Sequence, residues 1–292
     1  MDGSPKPATR PSWRDLLAAE KPLLLPCAHD ALSARLIARA GFKAYSIGGF
    51  PLVGARHALP DIGLVALAEM SQGMRDVMAA TSLPVLIDGD DGYGDVKNVT
   101  RTIRTYEDMG ASAIFIEDQV APKRCGHMAG KDVVPAEFME KKLRAAAAAR
   151  RSRDTFLVAR TDARAVHGLD EALRRAERYL KAGADGVFVE APENVDELAR
   201  VGREFRHVPQ IANMLEAGRT PLIAPKELHA MGFAMVAYPT SLIFRVARTI
   251  ENALADMQAG RLALEGEGVG FEEFKAIVGY ADWAKVEDRF GR

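Results

Sequence analysis

The sequence predicts an α/β fold of eight parallel strands, each followed by a helix, closed into a (β/α)8 barrel. Three observations predict it. Short apolar runs of strand length alternate eight times with longer amphipathic runs of helical period. The helix-like runs stop repeatedly at Ala-Gly or Met-Gly (Gly41, Gly110, Gly183, Gly232), as expected of C-terminal caps. The length, 292 residues, suits one such barrel. An open doubly wound sheet is the alternative, disfavoured because no Gly-x-Gly-x-x-Gly turn follows the first strand.

In order, Leu23 to Leu25 is the first strand and Asp30 to Ala40 the first helix, closed by Gly41. Lys43 to Gly49 is the second strand, with a helix over Leu64 to Ala80. Leu83 to Asp88 is the third, followed by a helix over Asn98 to Met109 that Gly110 stops. Ala113 to Glu117 is the fourth, then a loop, then a helix over Pro135 to Arg150. Thr155 to Arg160 and Leu169 to Ala182 make the fifth pair, Gly186 to Glu190 and Val195 to Phe205 the sixth. Gln210 to Met214 with Pro225 to Met231 is the seventh; Met235 to Tyr238 with the long helix Ser241 to Gly260 is the eighth. Residues 1–292 are read as a single barrel domain with an N-terminal arm, 1–20, and a C-terminal tail, 262–292, carrying Trp283.

Composition excludes several classes. Apolar residues make up 48%, enough for a large core, and the net charge of -1 points to neither nucleic acid nor a membrane surface. Two cysteines, Cys27 and Cys125, make no disulfide framework and fit a reducing, cytoplasmic setting. Met1 to Arg14 is polar and lacks the apolar core of a signal peptide. No apolar run approaches the ~20 residues needed to cross a bilayer.

Chemistry is expected at the strand C-termini, which face the active site of a parallel barrel. The third strand ends Asp88-Gly89-Asp90-Asp91-Gly92-Tyr93-Gly94. Three acids so close in a barrel mouth call for a cation, and oxygen ligands suit Mg²⁺. The same residues also make an ordinary acidic surface turn. Arg160 ends the fifth strand as a fork for a carboxylate, Glu190 ends the sixth and Asn213 lies in the seventh. Taken singly, an Arg160–Glu190 pair would merely tie neighbouring strands; together these ends form a polar ring. Gly48 and Gly49 end the second strand, where backbone N–H groups can meet an anion. The loop after the fourth strand holds Cys125 among Lys123, Arg124, His127 and Lys131, a setting expected to acidify a thiol.

The Lys-Arg-Cys-Gly-His run at 123–127, with Gly130-Lys131 after it, resembles the loop signature of the isocitrate lyase/phosphoenolpyruvate mutase superfamily, in particular its lyase branch. The third-strand end is similar to that family's Asp-Ala-Asp-Thr-Gly-Tyr/Phe-Gly, with Gly89 and Asp91 replacing Ala and Thr. Tyr45-Ser46-Ile47-Gly48-Gly49 is similar to its Tyr-x-Ser-Gly-Gly, with Ile47 where the motif has serine. The resemblance runs from about Asp30 to about Ser241. It implies a (β/α)8 enzyme with Mg²⁺ (or Mn²⁺) held by Asp88, Asp90 and Glu117, mostly through water. It implies Arg160, Glu190, Asn213, Gly48, Gly49, Gly126 and His127 at the substrate, and Cys125 as proton donor. The base is expected in the Glu190/Tyr45 region. The family also implies a homotetramer that exchanges its last barrel helix between subunits.

The expected reaction is Mg²⁺-dependent carbon–carbon cleavage of a small 2-hydroxy carboxylate. Phe244 stands where methylisocitrate lyases place an arginine, and Arg245 comes one residue late. A third carboxylate would then lack a partner. A dicarboxylate with apolar substituents, such as 2,3-dimethylmalate, is favoured. Methylisocitrate cleavage, oxaloacetate hydrolysis or decarboxylation, and a non-catalytic metabolite-binding barrel are the alternatives.

Overall fold

Strand residues alternate between two environments, and that alternation builds the molecule. The computed structural model describes residues 11–261 and 268–291; the start of the expected arm, residues 262–267 of the expected tail, and Arg292 lie outside them. Eight strands follow one another as β1 (Leu23–Pro26), β2 (Tyr45–Ile47), β3 (Val85–Asp88), β4 (Ala113–Glu117), β5 (Phe156–Thr161), β6 (Gly186–Val189), β7 (Ile211–Asn213) and β8 (Met235–Tyr238). They pair in parallel as two arcs, β2-β3-β4-β5-β6 and β7-β8-β1. Single parallel bridges, Cys27 with Ser46 and Val187 with Gln210, join the arcs and close the barrel. Backbone bonds Ala28 N–H to Ser46 O (2.9 Å) and Val187 N–H to Pro209 O (3.1 Å) make the two seams.

Along each strand, one set of residues fills the barrel and the other meets the helices. Leu25, Leu86, Phe115, Val158, Phe188, Ile211 and Met235 pack into one inner cluster. Tyr45, Ile87, Ile116 and Leu157 pack outward against helices, as do Val187, Ala212 and Val236. The helices are α1 (Trp13–Ala19), α2 (Ala31–Arg39), α3 (Gly49–His57), α4 (Leu67–Ala79), α5 (Val96–Met109), α6 (Ala136–Ala149), α7 (Ala163–His167), α8 (Leu169–Lys181), α9 (Val195–Glu204), α10 (Pro225–Met231), α11 (Ser241–Gln258), α12 (Phe271–Ile277) and α13 (Tyr280–Phe290). None among the described residues is long and apolar enough to cross a membrane.

The structure adds the short helix α7, absent from the sequence reading, and four other departures bear on the frame. The described part of the arm is α1, capped by Ser12, whose Oγ accepts from Asp15 N–H. Trp13 is fully buried among residues that begin strands, including Leu23, Phe156 and Met235, so α1 plugs the N-terminal end of the barrel. Second, α3 forms where the sequence reading has no helix, which ends its second strand at Gly49 and assigns nothing to 50–63; Pro51 falls in the first turn, where its missing N–H costs nothing. Third, α4 begins at Leu67 rather than Leu64, where the Glu69 carboxylate reaches back to Ala66 N–H (3.1 Å). Fourth, the described part of the tail is helical and folds back on α2 through Arg39–Glu273 (3.3 Å) and Arg35 to Ile277 O (3.4 Å).

The burial of Trp13 predicts that Trp13→Ala lowers the unfolding free energy by about 3–5 kcal/mol. Urea unfolding measures it, and a loss below about 1 kcal/mol would mean that α1 is not part of the core.

Candidate active site

One step above the Leu86–Phe115–Val158–Phe188 layer, the inward positions turn polar. They are Cys27 past β1, Ser46 on β2, Asp88 on β3, Glu117 on β4, Arg160 on β5, Glu190 past β6 and Asn213 on β7. All seven line one small cavity, together with Phe50, Lys123, Cys125, Gly126 and His127. The period of two that buries Phe115 and Phe188 thus also aims Glu117 and Glu190 inward. Non-glycine residues in the left-handed region mark the same end: Asp90 (φ 46°), Ala191 (φ 57°) and Ala217 (φ 60°). Such backbone costs roughly 1–2 kcal/mol per residue and gathers at functional sites.

Arg160 is the centre of the site. Its guanidinium carbon lies 5.1 Å from the centroid of Phe188 and 5.9 Å from that of Phe115. It forks onto Asp162, with Nε to Oδ2 at 2.9 Å and Nη2 to Oδ1 at 3.2 Å. Glu117 Oε2 is 3.2 Å from Nε, and Glu190 Oε2 is 3.6 Å from Nη1. Glu190 also faces His127 Nε2 at 2.7 Å and accepts from Asn213 Nδ2 at 3.2 Å. Burial would raise the Glu190 carboxyl; Arg160 and His127 overcome it and hold it below the usual range. Asp162 behaves likewise: burial opposes its ionisation, and Arg160 and Lys131 more than restore it.

The loop between β4 and α6 lies closed over this ring. Gln119 clamps Arg124 by both backbone groups, at 2.8 and 2.9 Å, and Cys125 N–H donates to Asp61 O at 3.1 Å. Gly126 packs so tightly that a Cβ there would meet Arg160 Nη2 and come within 2.7 Å of Glu190 Cγ. His127 Nδ1 accepts from Arg219 N–H at 3.0 Å, which leaves the proton on Nε2, toward Glu190.

Cys125 reverses the expected acidity. Burial pushes its thiol up to about 11, and the nearby cations do not offset this because they are engaged elsewhere. Lys123 Nζ lies 2.7 Å from Asp61 and 2.5 Å from Asp90, and Lys131 pairs with Asp162 at 2.8 Å. Tyr45 was also expected at the site. It is fully buried in the helix-facing cluster, and the inward position beside it belongs to Ser46, whose hydroxyl lies 3.5 Å from Leu25 O. Gly48 and Gly49 do line the cavity, but their N–H groups donate to Cys27 Sγ (3.1 Å) and Asp88 Oδ2 (2.9 Å).

Two ionisable lining residues were given no place in the site by the sequence reading. Asp61 is buried and paired to Lys123; its only signal was an acid in the Pro60-Asp61-Ile62-Gly63 turn. Cys27, taken from the sequence only as one of two cysteines without a disulfide framework, lines the cavity, and burial raises its thiol to about 11.

The charges do not balance. Six buried acids (Asp61, Asp88, Asp90, Glu117, Asp162, Glu190) face three buried cations (Lys123, Lys131, Arg160). Asp91 is drawn away by the buried Lys142 at 3.6 Å. Burial, with Asp90 alongside, lifts the Asp88 carboxyl to about 6, and burial lifts Glu117 well above its usual value despite Arg160. Glu117 Oε1 is buried with no hydrogen-bond partner. Among the described residues no three side chains converge closely enough to hold an ion directly. Surplus carboxylate and a free oxygen fit a hard divalent cation held mostly through water.

A polar ring at the mouth of a parallel barrel, with a half-buried thiol in its wall, defines an enzyme-like site, and comparison with known proteins gives the family. The phosphoenolpyruvate phosphomutase family model matches residues 13–258, and the chain belongs to that family. It is 42% identical over 271 residues to the petal death protein of Dianthus caryophyllus, covering 92% of this chain and 85% of that one. It is 38% identical over 287 residues to 2,3-dimethylmalate lyase of Eubacterium barkeri (97% and 98% covered), and 39% over 254 to 2-methylisocitrate lyase of Bacillus subtilis strain 168 (87% and 83%). Among solved structures, oxaloacetate acetylhydrolase with 3,3-difluorooxalacetate superposes with TM-score 0.91 at 28% identity, covering 96% of each chain. A 2,3-dimethylmalate lyase described as a PEP mutase/isocitrate lyase superfamily member gives 0.87 at 32%, covering 95% and 94%. Phosphonopyruvate hydrolase with oxalate and Mg²⁺ gives 0.85 at 28%, covering 96% and 98%.

The fit of Gly126 predicts that Gly126→Ala lifts the loop without unfolding the barrel. Trypsin should cut after Lys123 or Arg124 at least ~10-fold faster than in the native chain, at unchanged melting temperature. Equal cutting rates would mean that the loop does not rest on Arg160 and Glu190.

Proposed function

We propose that this chain is a carbon–carbon lyase that splits a small 2-hydroxy dicarboxylate with apolar substituents, of the 2,3-dimethylmalate type, into a 2-oxo acid and a carboxylate. One observation carries the reading. Cys125 lines the same cavity as Asp88, Glu117 and Arg160, with its thiol kept protonated by burial. Carbon–carbon cleavage needs a proton for the departing carbanion, whereas phosphoryl transfer has no such need.

The chain's own groups account for the reaction. Asp88, Asp90 and Glu117 would hold Mg²⁺ (or Mn²⁺), which supplies Lewis-acid polarisation of the 2-hydroxy-carboxylate end. Glu190, ionised beside Arg160, takes the hydroxyl proton. The bond between C2 and C3 breaks, C2 becomes a carbonyl, and the electron pair passes to C3 and its carboxylate. Arg160 and His127 stabilise that charge. The Cys125 S–H then gives its proton to C3. The closed loop keeps water from the carbanion.

The walls favour a dicarboxylate. Phe50 lines the cavity and stacks edge-on against Phe244, with ring centroids 6.0 Å apart. Leu215 and Pro239 extend that apolar wall. Arg245 is committed to Glu216 at 3.0 Å. A third carboxylate would meet aromatic rings there. Oxaloacetate hydrolysis is the second reading, supported by the likeness to oxaloacetate acetylhydrolase. We also propose a cytoplasmic homotetramer that exchanges its last barrel helix. Support comes from α11, which buries no residue, and from the apolar groove it forms with α2, lined by Leu32, Leu36, Val246 and Ile250.

Release of 2-oxo acid from 2,3-dimethylmalate should require Mg²⁺, stop with EDTA and exceed release from 2-methylisocitrate. Cys125→Ala should lower kcat by about 10²–10⁴-fold while ligand binding persists. Faster turnover of methylisocitrate would overturn the dicarboxylate assignment; oxalate from oxaloacetate would favour the second reading.

A further inference from the structure

Lys131 stands at the far end of the catalytic loop, and its side chain is only 2% exposed. An ammonium buried that deeply needs strong partners. Lys131 has two, and they belong to different parts of the molecule. One is the carbonyl of Gly126, within the loop and next to Cys125. The other is Asp162 Oδ1 at 2.8 Å, on the barrel just past β5. Asp162 is fixed in turn. Its N–H donates to Asp118 Oδ1 at 2.9 Å, and Asp118 Oδ2 accepts from Thr161, Tyr179 and Arg175 at 2.8, 2.8 and 3.1 Å. The Asp162 carboxylate also carries both arms of the Arg160 fork.

The neck of the loop is closed separately. Gln119 and Val133 bridge antiparallel, and Val120 N–H donates to Asp132 O at 2.9 Å. The neck can therefore persist while the tip lifts. At the tip, Gly126 has no side chain to anchor it, and Lys131 ties its carbonyl to the barrel.

We propose that Lys131 is a positioning residue: through Gly126 and Asp162 it latches the loop tip onto Arg160 and so fixes where Cys125 sits. The proposal rests on the lyase reading for its kinetic consequence, but not for its structural one. Asp162 is shared between the latch and Arg160, so the residue that receives a substrate carboxylate and the residue that shuts the loop lean on the same anion. Lys131 itself touches no reacting atom. Arginine at this position keeps the charge and the donors and should preserve the latch in part.

The test is hydrogen–deuterium exchange of the 119–133 peptide in the native protein, K131M and K131R, with steady-state kinetics alongside. In K131M the Cys125 and Met128 amides should exchange about tenfold faster, and kcat should fall by about tenfold or more, with KM changing less than about twofold. K131R should recover much of both. If K131M melts early, K131Q serves in its place. Unchanged exchange in a folded variant overturns the latch, whatever happens to turnover. Faster exchange in a protein that cleaves none of the tested acids keeps the latch and overturns the lyase reading instead.

Discussion

A guanidinium sealed beside two aromatic rings at the mouth of the barrel is the constraint on which the rest of the site depends. Arg160 cannot shed its charge, and the Phe115 and Phe188 rings offer only partial compensation. Burying it requires carboxylates close by, so Asp162, Glu117 and Glu190 converge on it. Those acids then need partners of their own. Lys131 joins Asp162, and His127 and Asn213 join Glu190. Two of these partners, Lys131 and His127, lie on the loop. Closing the loop thus neutralises charge, and the ring of charges holds the loop closed. Gly126 is the geometric condition of that bargain, since any side chain there would strike Arg160 and Glu190.

The fold was legible because strand and helix periods are local signals. The polar ring was legible for the same reason: strand C-termini carrying Asp88, Glu117, Arg160, Glu190 and Asn213 stand out against apolar runs. Tyr45 shows where that legibility ends. Strands of a parallel barrel are buried on both faces, so Tyr45, Ser46 and Ile47 are all buried, and sequence alone does not say which face each meets. Only the shared phase with Leu86, Phe115 and Phe188 assigns Ser46 inward and Tyr45 outward. Asp61 was lost for another reason. Its significance comes from Lys123, far along the chain, and no local pattern announces a pairing made by the fold.

The acidity of Cys125 failed in the same way. Counting basic neighbours in sequence treats each as free to act on the thiol. In the folded chain Lys123 is committed to Asp61 and Asp90, and Lys131 to Asp162, so the thiol experiences burial first. Charge in a loop is informative only once the acids that consume it are known.

That failure strengthens the chemical reading. A group that must protonate a carbanion has to keep its proton until the carbanion forms. A thiol acidified by free lysines would be largely thiolate at neutral pH, unable to donate and prone to attack other electrophiles. On the proposed lyase reading, holding Cys125 protonated over a cavity whose acids outnumber its cations keeps the donor ready and leaves the surplus negative charge for a divalent cation. Proton donor and carboxylate ring are in this way set apart by burial and pairing alone. On the proposed lyase reading, the lysines of the loop are bound to the barrel rather than to the thiol because their charge closes the site and leaves the cysteine its proton.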